Sequence, residues 1–145
     1  MRAVIQRVTQ AQVIVGESIV GEITSGLCIL LGVDRDDDLA DADFLLEKIK
    51  NFRIFEDQEG KMNLSLLAVG AEVLVVSQFT LCASWRKGNR PSFTGAAPLP
   101  HAEKLYNHFI ERLRDAGVSV ATGQFQARMK VSVVNDGPVT FVLES

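Results

Sequence analysis

The sequence predicts a single compact α/β domain, strand-rich, with mixed sheets and two main helices. Three observations carry that expectation. Alternating, β-branched runs fill both ends of the chain. Two stretches between them repeat apolar residues at helical spacing. The run "GLCILLGV" (26–33) is continuously apolar, as in a strand buried on both faces. A chain of 145 residues fits one domain, 1–145, with a full hydrophobic core. Its 47% hydrophobic and 23% charged residues place it among globular proteins. The longest apolar run, Leu27 to Val33, is too short to span a membrane. Met1-Arg2 leads straight into β-type sequence without a signal-peptide core, and the two cysteines form no disulfide framework. A cytoplasmic protein is expected. The net charge of −3 gives the whole chain no attraction for nucleic acid, so such a partner requires a local basic patch.

Residues 2–23 read as strands broken at Gly16 and Gly21, followed by the buried strand 26–33. "DRDDD" (34–38) suits a helix N-terminus, where carboxylates meet free N–H groups and the positive end of the dipole. The helix runs from Leu39 to about Asn51, with Leu39, Ala42, Leu45, Leu46 and Ile49 inward. "FRIF" (52–55) is a strand ended by the turn "DQEG" (57–60). "AEVLVVSQFTL" (71–81) is the strongest strand, and an irregular stretch, 82–100, follows it. Pro100 opens a second helix that Gly117 stops. The end is β again, at 118–123, 129–134 and 139–144, with Asn135-Asp136-Gly137-Pro138 as the turn between the last two. A hairpin needs only Asn-Gly or Asp-Gly; the proline removes a donor just where pairing should resume.

Few of the usual catalytic routes are present. Asp34, Asp36 and Asp38 start a calcium-loop spacing, but Leu39 and Leu45 stand where glycine and glutamate are needed, so helix capping is the better reading. His101 and His108 fall on the second helix without ligand-type spacing and read as solvated. There is no metal cluster, phosphate loop or dinucleotide fingerprint, so no metal or cofactor is expected. Ser77, Gln78 and Thr80 of "SQFTL" bring hydroxyls and an amide to a strand end, where sites gather in α/β proteins, although polar strand ends are also commonplace. "WRKGNRPSF" (85–93) sets Arg86, Lys87 and Arg90 beside Trp85 and Phe93. That pattern fits phosphate contact with base stacking, and equally a solvated loop.

Read in order, "MRAVIQRV", "GLCILLGV", "FRIFEDQEGKMNLSL", "VVSQFTL", "KGNRPSF" and "VNDGPVTF" resemble bacterial D-aminoacyl-tRNA deacylase over the whole chain. The resemblance implies a homodimer with a three-layer α/β/β fold that hydrolyses the ester between tRNA and a D-amino acid, or mischarged glycine. It implies that Ser77, Gln78, Phe79 and Thr80 form the catalytic motif. Gly137 and Pro138, joined by a cis peptide, would enter the partner's site and collide with an L side chain. Arg7 would brace that pair, and Phe125 and Met129 would wall the pocket of the terminal adenosine. Arg86, Lys87 and Arg90 would hold tRNA. The ribose 2′-OH would help activate the attacking water, in preference to Thr80 as nucleophile. The competing class is an RNA-binding module without catalysis.

Overall fold

A computed structural model describes residues 1–145, and β1 (Arg2–Val15) is its spine. One edge of β1 is shared end to end by β2 (Ser18–Ile23) and β3 (Gly26–Gly32), both antiparallel to it. The other edge pairs throughout with β8 (Met129–Glu144). Beyond β3 the sheet continues in parallel through β6 (Glu72–Ser77) and β7 (Val120–Thr122). Parallel neighbours need crossovers, and helices α1 (Leu39–Asn51) and α3 (Leu99–Asp115) supply them. Between α1 and β6 lie a small β4–β5 hairpin (Arg53–Glu56, Met62–Ser65) and the one-turn helix α2 (Leu66–Val69). Both β5 and α2 are too short to show a period in the sequence. No helix is long and apolar enough to cross a membrane.

Three layers follow from alternation along the strands. Leu27, Ile29 and Leu31 of β3 and Val73 and Val75 of β6 face the helices, meeting Leu45, Ile49, Leu105 and Phe109. Their neighbours Cys28, Leu74 and Val76 face the other way, onto Val8, Ala11, Val13 and Ile23. The third layer is therefore the far half of β1 with β2 and the first half of β8. β1 serves both clusters because its register slips between Gln6 and Gln10. Ala3 and Ile5 point at the helices, whereas Val8, Ala11 and Val13 share the second cluster.

The helix ends match their residues. Asp38 accepts from the N–H groups of Ala40 (2.7 Å) and Asp41 (3.3 Å), and the Asp41 carboxylate accepts from the Asp38 N–H in return. The neighbouring acids do other work: Asp37 lies 2.5 Å from the Met1 ammonium and Asp34 3.1 Å from Arg2. Leu39 is exposed rather than inward, since a side chain in the first turn leans back toward the entering loop. Gly21 does not break a strand; it sits inside β2, paired with Val13. β6 stops at Ser77, not at Leu81, because its partner β3 runs out: Gln78 N–H donates to Leu31 O at 2.8 Å, and the chain then turns into a 3-10 helix, Phe79–Cys82.

The segment 135–138 is not a hairpin turn. Both halves of β8 run antiparallel to the same β1, with Thr140 opposite Gln6 and Asn135 opposite Val8. The intervening residues stand out from the sheet as a bulge. Asn135 pinches its base, donating to Arg7 O at 2.8 Å and Val139 O at 3.0 Å. The Gly137–Pro138 peptide is cis.

The curl of the sheet rests on a close approach. A Cβ on Gly21 would overlap the Thr122 carbonyl of β7. Gly21→Ala should therefore cost about 1–3 kcal/mol in urea unfolding, as overpacking does. Unchanged stability would mean that β2 and β7 do not meet.

Candidate active site

A cavity of about 650 Å³ opens where β3 and β6 end. Ser77, Gln78 and Phe79 form one wall, and Phe125, Gln126, Ala127, Met129 and Val131 another. Phe93, Ala96, Ala97, Leu99 and Ala102 close it from the loop and the start of α3, with Val33 from the end of β3. A site outside the carboxyl ends of parallel strands follows from the fold, because both crossovers leave the sheet there. Tyr106 holds this end: its buried hydroxyl donates to Val75 O at 2.9 Å and its ring lies 5.6 Å from Phe125. Burial pushes the Tyr106 phenol up to about 12.

The chemistry on offer is that of donors and shape. None of the residues lining the cavity is titratable. Phe79 and Thr80 head the 3-10 turn, so no earlier residue of that turn can accept from their N–H groups. Thr80 itself is exposed and does not line the cavity; its Oγ1 accepts from Gln78 Nε2 at 2.5 Å. No base reaches it. The histidines are docked elsewhere instead of solvated. His101 Nε2 lies 2.8 Å from Asp37 O, and His108 Nε2 lies 2.9 Å from Asp43 Oδ1, tying α3 to α1 and its cap. The bonds from His108 and Arg112 hold the Asp43 carboxyl below its usual range. The cysteines are no better placed as nucleophiles. Burial pushes the Cys28 thiol up to about 11, and burial with Asp34 nearby pushes Cys82 to about 12.

Of the residues singled out in the sequence, Ser77, Gln78, Phe79, Phe125 and Met129 come together at the cavity. Arg86, Lys87 and Arg90 lie on an exposed loop whose base is closed by paired bonds between Ser84 and Ser92, at 2.8 and 2.9 Å. The Phe93 ring meets Phe79 edge-on at 5.0 Å, which joins that loop to the Ser77–Phe79 wall. Arg86 lies 5.7 Å over the exposed Trp85 ring. Gly137 and Pro138 do not line the cavity of their own chain. They stand against Arg7, which is only 6% exposed: its Nη2 is 3.2 Å from where a Gly137 Cβ would lie, and its Nε is 3.1 Å from Asp136 Oδ2. That Nε–H is not aimed at the carboxylate, so the pair is ionic by distance and not a hydrogen bond.

Val33, Leu99 and Gln126 escape a reading by motif. One signal points to their surroundings. All 18 carboxylates lie outside residues 73–102 and 116–135, and every cavity residue except Val33 falls within those two stretches. The cations there, Arg86, Lys87, Arg90, Arg128 and Lys130, take part in no ion pair. An acidic chain thus keeps unpaired cations on the two stretches that build most of this cavity's wall.

Comparison with known proteins gives a consistent family. The family described as D-Tyr-tRNA(Tyr) deacylase matches residues 4–144. A D-aminoacyl-tRNA deacylase of Clostridioides difficile (strain 630) is 53% identical, covering 100% of this chain and 97% of the relative. Among solved structures, one described as c-Myc DNA Unwinding Element Binding Protein superposes with a TM-score of 0.94 at 44% identity, over 100% of this chain and 99% of the other. A second, described as a probable eukaryotic D-amino acid tRNA deacylase, shares the fold, with a TM-score of 0.83 at 20% identity over 99% and 98% of the two chains.

Gln126 is the one residue other than glycine with positive φ, at 64°. That conformation costs about 1–2 kcal/mol in an L residue, against about 0.4–1 for the extra unfolded freedom of glycine. Gln126→Gly should gain a few tenths to about 1 kcal/mol in thermal or urea unfolding. A loss of stability would mean that the Gln126 side chain supports the turn.

Proposed function

The chain belongs to the D-Tyr-tRNA(Tyr) deacylase family, and on that premise we propose how its cavity clears D-aminoacyl-tRNA, and glycine on the wrong tRNA, by ester hydrolysis. The observation that carries the reading is an apolar cavity without a titratable side chain, beside a 3-10 turn whose first N–H groups have no acceptor within it. The terminal adenosine lies between Phe125 and Met129, with the ester carbonyl over the turn at Ser77–Thr80. Water adds to the carbonyl carbon, and the N–H groups of Phe79 and Thr80 stabilise the oxyanion. The bond to the ribose oxygen then breaks, and that oxygen takes up the proton. The 2′-OH of the same ribose helps activate the water, so the substrate supplies the polar group that the cavity lacks. Engagement of the Thr80 hydroxyl by Gln78 supports this over a threonine nucleophile.

Chirality is read by exclusion in a homodimer. Gly137 and Pro138 of one subunit enter the cavity of the other, their carbonyls facing the substrate α-carbon, so that an L side chain collides and a D side chain or glycine does not. Arg7 braces the pair. The outward stand of this bulge, away from its own cavity, supports the assignment, as do the exposed apolar residues Val131, Val134 and Val142 along β8. Arg86, Lys87 and Arg90 hold tRNA phosphates, and the reaction takes place in the cytoplasm.

Incubation with D-tyrosyl-tRNA and L-tyrosyl-tRNA tests the reading, with release of the D-amino acid alone expected. Release of neither would favour nucleic-acid binding without catalysis, a second reading favoured by the description of the 44%-identical structure. Thr80→Ala should stay within about tenfold of the parent rate, the scale of one missing hydrogen bond. Substrate ending in 2′-deoxyadenosine should be nearly inert. A dead Thr80→Ala with an active deoxy substrate would make Thr80 the nucleophile.

Replacing Arg86, Lys87 and Arg90 together by alanine should weaken tRNA binding. It should also flatten its logarithmic salt dependence by about 0.7–0.9 in slope for every phosphate no longer neutralised. Preference for the D substrate should be kept. An unchanged slope would remove the loop from the RNA surface.

A further inference from the structure

Arg7 carries a charge on the core-facing side of β1, and β4 anchors it. Nη1 donates to Ile54 O at 3.0 Å and Nη2 to Glu56 Oε1 at 3.0 Å, while Nε faces Asp136 Oδ2 at 3.1 Å without an aligned hydrogen bond. One side of the guanidinium is thus tied to the β4 backbone and a β4 carboxylate, and the other touches the bulge. Gly137 stands against the same Nη2 that Glu56 holds. Asn135 fixes the base of the bulge to β1, which leaves Asp136 to Pro138 to follow the guanidinium. We infer that Glu56 is a positioning residue: by holding Arg7 toward β4, it sets where Gly137 and Pro138 stand, and with them the strictness of chiral rejection. Without Glu56, the remaining carboxylate at Arg7 is Asp136, and the guanidinium and the bulge move together. Glu56 touches no substrate, and its side chain is 53% exposed, so the fold does not depend on burying it. The inference rests on the reading of Gly137 and Pro138 as the chiral filter.

The test compares kcat/KM for D-tyrosyl-tRNA and L-tyrosyl-tRNA in the full chain and four variants: Glu56→Ala, Glu56→Gln, Arg53→Ala and Gly137→Ala. Melting temperatures are measured alongside. A misplacement of 1 Å can cost about a hundredfold, so Glu56→Ala should lower the D-to-L ratio by about tenfold, with the D rate changing far less. Glu56→Gln keeps an acceptor for Nη2 and should recover most of the ratio. Arg53→Ala removes a bond from the same hairpin, Nη1 to Asn63 Oδ1 at 3.3 Å, without touching Arg7, and should leave the ratio alone. A parental ratio in Glu56→Ala, or an equal fall in Arg53→Ala, would overturn the inference. Gly137→Ala separates the two levels, because its Cβ would lie 2.6 Å from Val139 Cγ2 at a φ of 124°. If it keeps both rate and ratio, the bulge is not the filter and the underlying reading fails. If it loses either, that reading stands and Glu56→Ala decides.

Discussion

Double-edged pairing of β1 is the constraint on which the rest depends. A strand bonded along both edges cannot slide, so its bulges are fixed features of the fold. The slip between Gln6 and Gln10 turns one strand into two, one half facing the helices and the other facing the folded-over sheet. At that slip sits Arg7, and opposite it β8 throws out its own bulge. The same irregularity that lets one chain build two cores also places a cation beside the bulge of β8.

The cavity is built by subtraction. The end of β3 leaves β6 without a partner, β6 becomes a 3-10 turn, and the first N–H groups of that turn are left without acceptors within it. No titratable side chain lines the cavity: the histidines dock α3, and the thiols are buried. Such a site can position, exclude and stabilise charge. Proton transfer there needs a group that the lining itself does not supply.

Much of this was legible in the residues, and the failures have physical causes. β3, α1 and α3 are recoverable to within a residue or two, because burial on both faces and helical periodicity leave strong patterns at 26–33, 39–51 and 99–115. β6 was legible, but its end was not. "SQFTL" has β-type composition, and only the length of another strand, β3, decides where the ladder stops. The Asn135–Pro138 segment looks like a hairpin locally; that both flanks pair with one strand is a long-range fact. Of the 15 residues that line the cavity, Ser77–Phe79, Phe125 and Met129 were nameable through the family resemblance. Gln126 carries no propensity that marks positive φ, and the meeting of Phe79 with Phe93 depends on a loop closed by Ser84 and Ser92.

Charge is spread unevenly along the chain: the two stretches that build most of the cavity wall hold cations and no carboxylate. With net charge −3 and five unpaired cations on the two stretches that build most of the cavity wall, an approaching polyanion meets repulsion from the chain as a whole and attraction at those cations. The funnel acts at about the Debye length, before any atom touches. Encounters elsewhere are short, and those at the opening are long. A charge pattern that draws polyanions toward one opening raises the share of encounters that begin there.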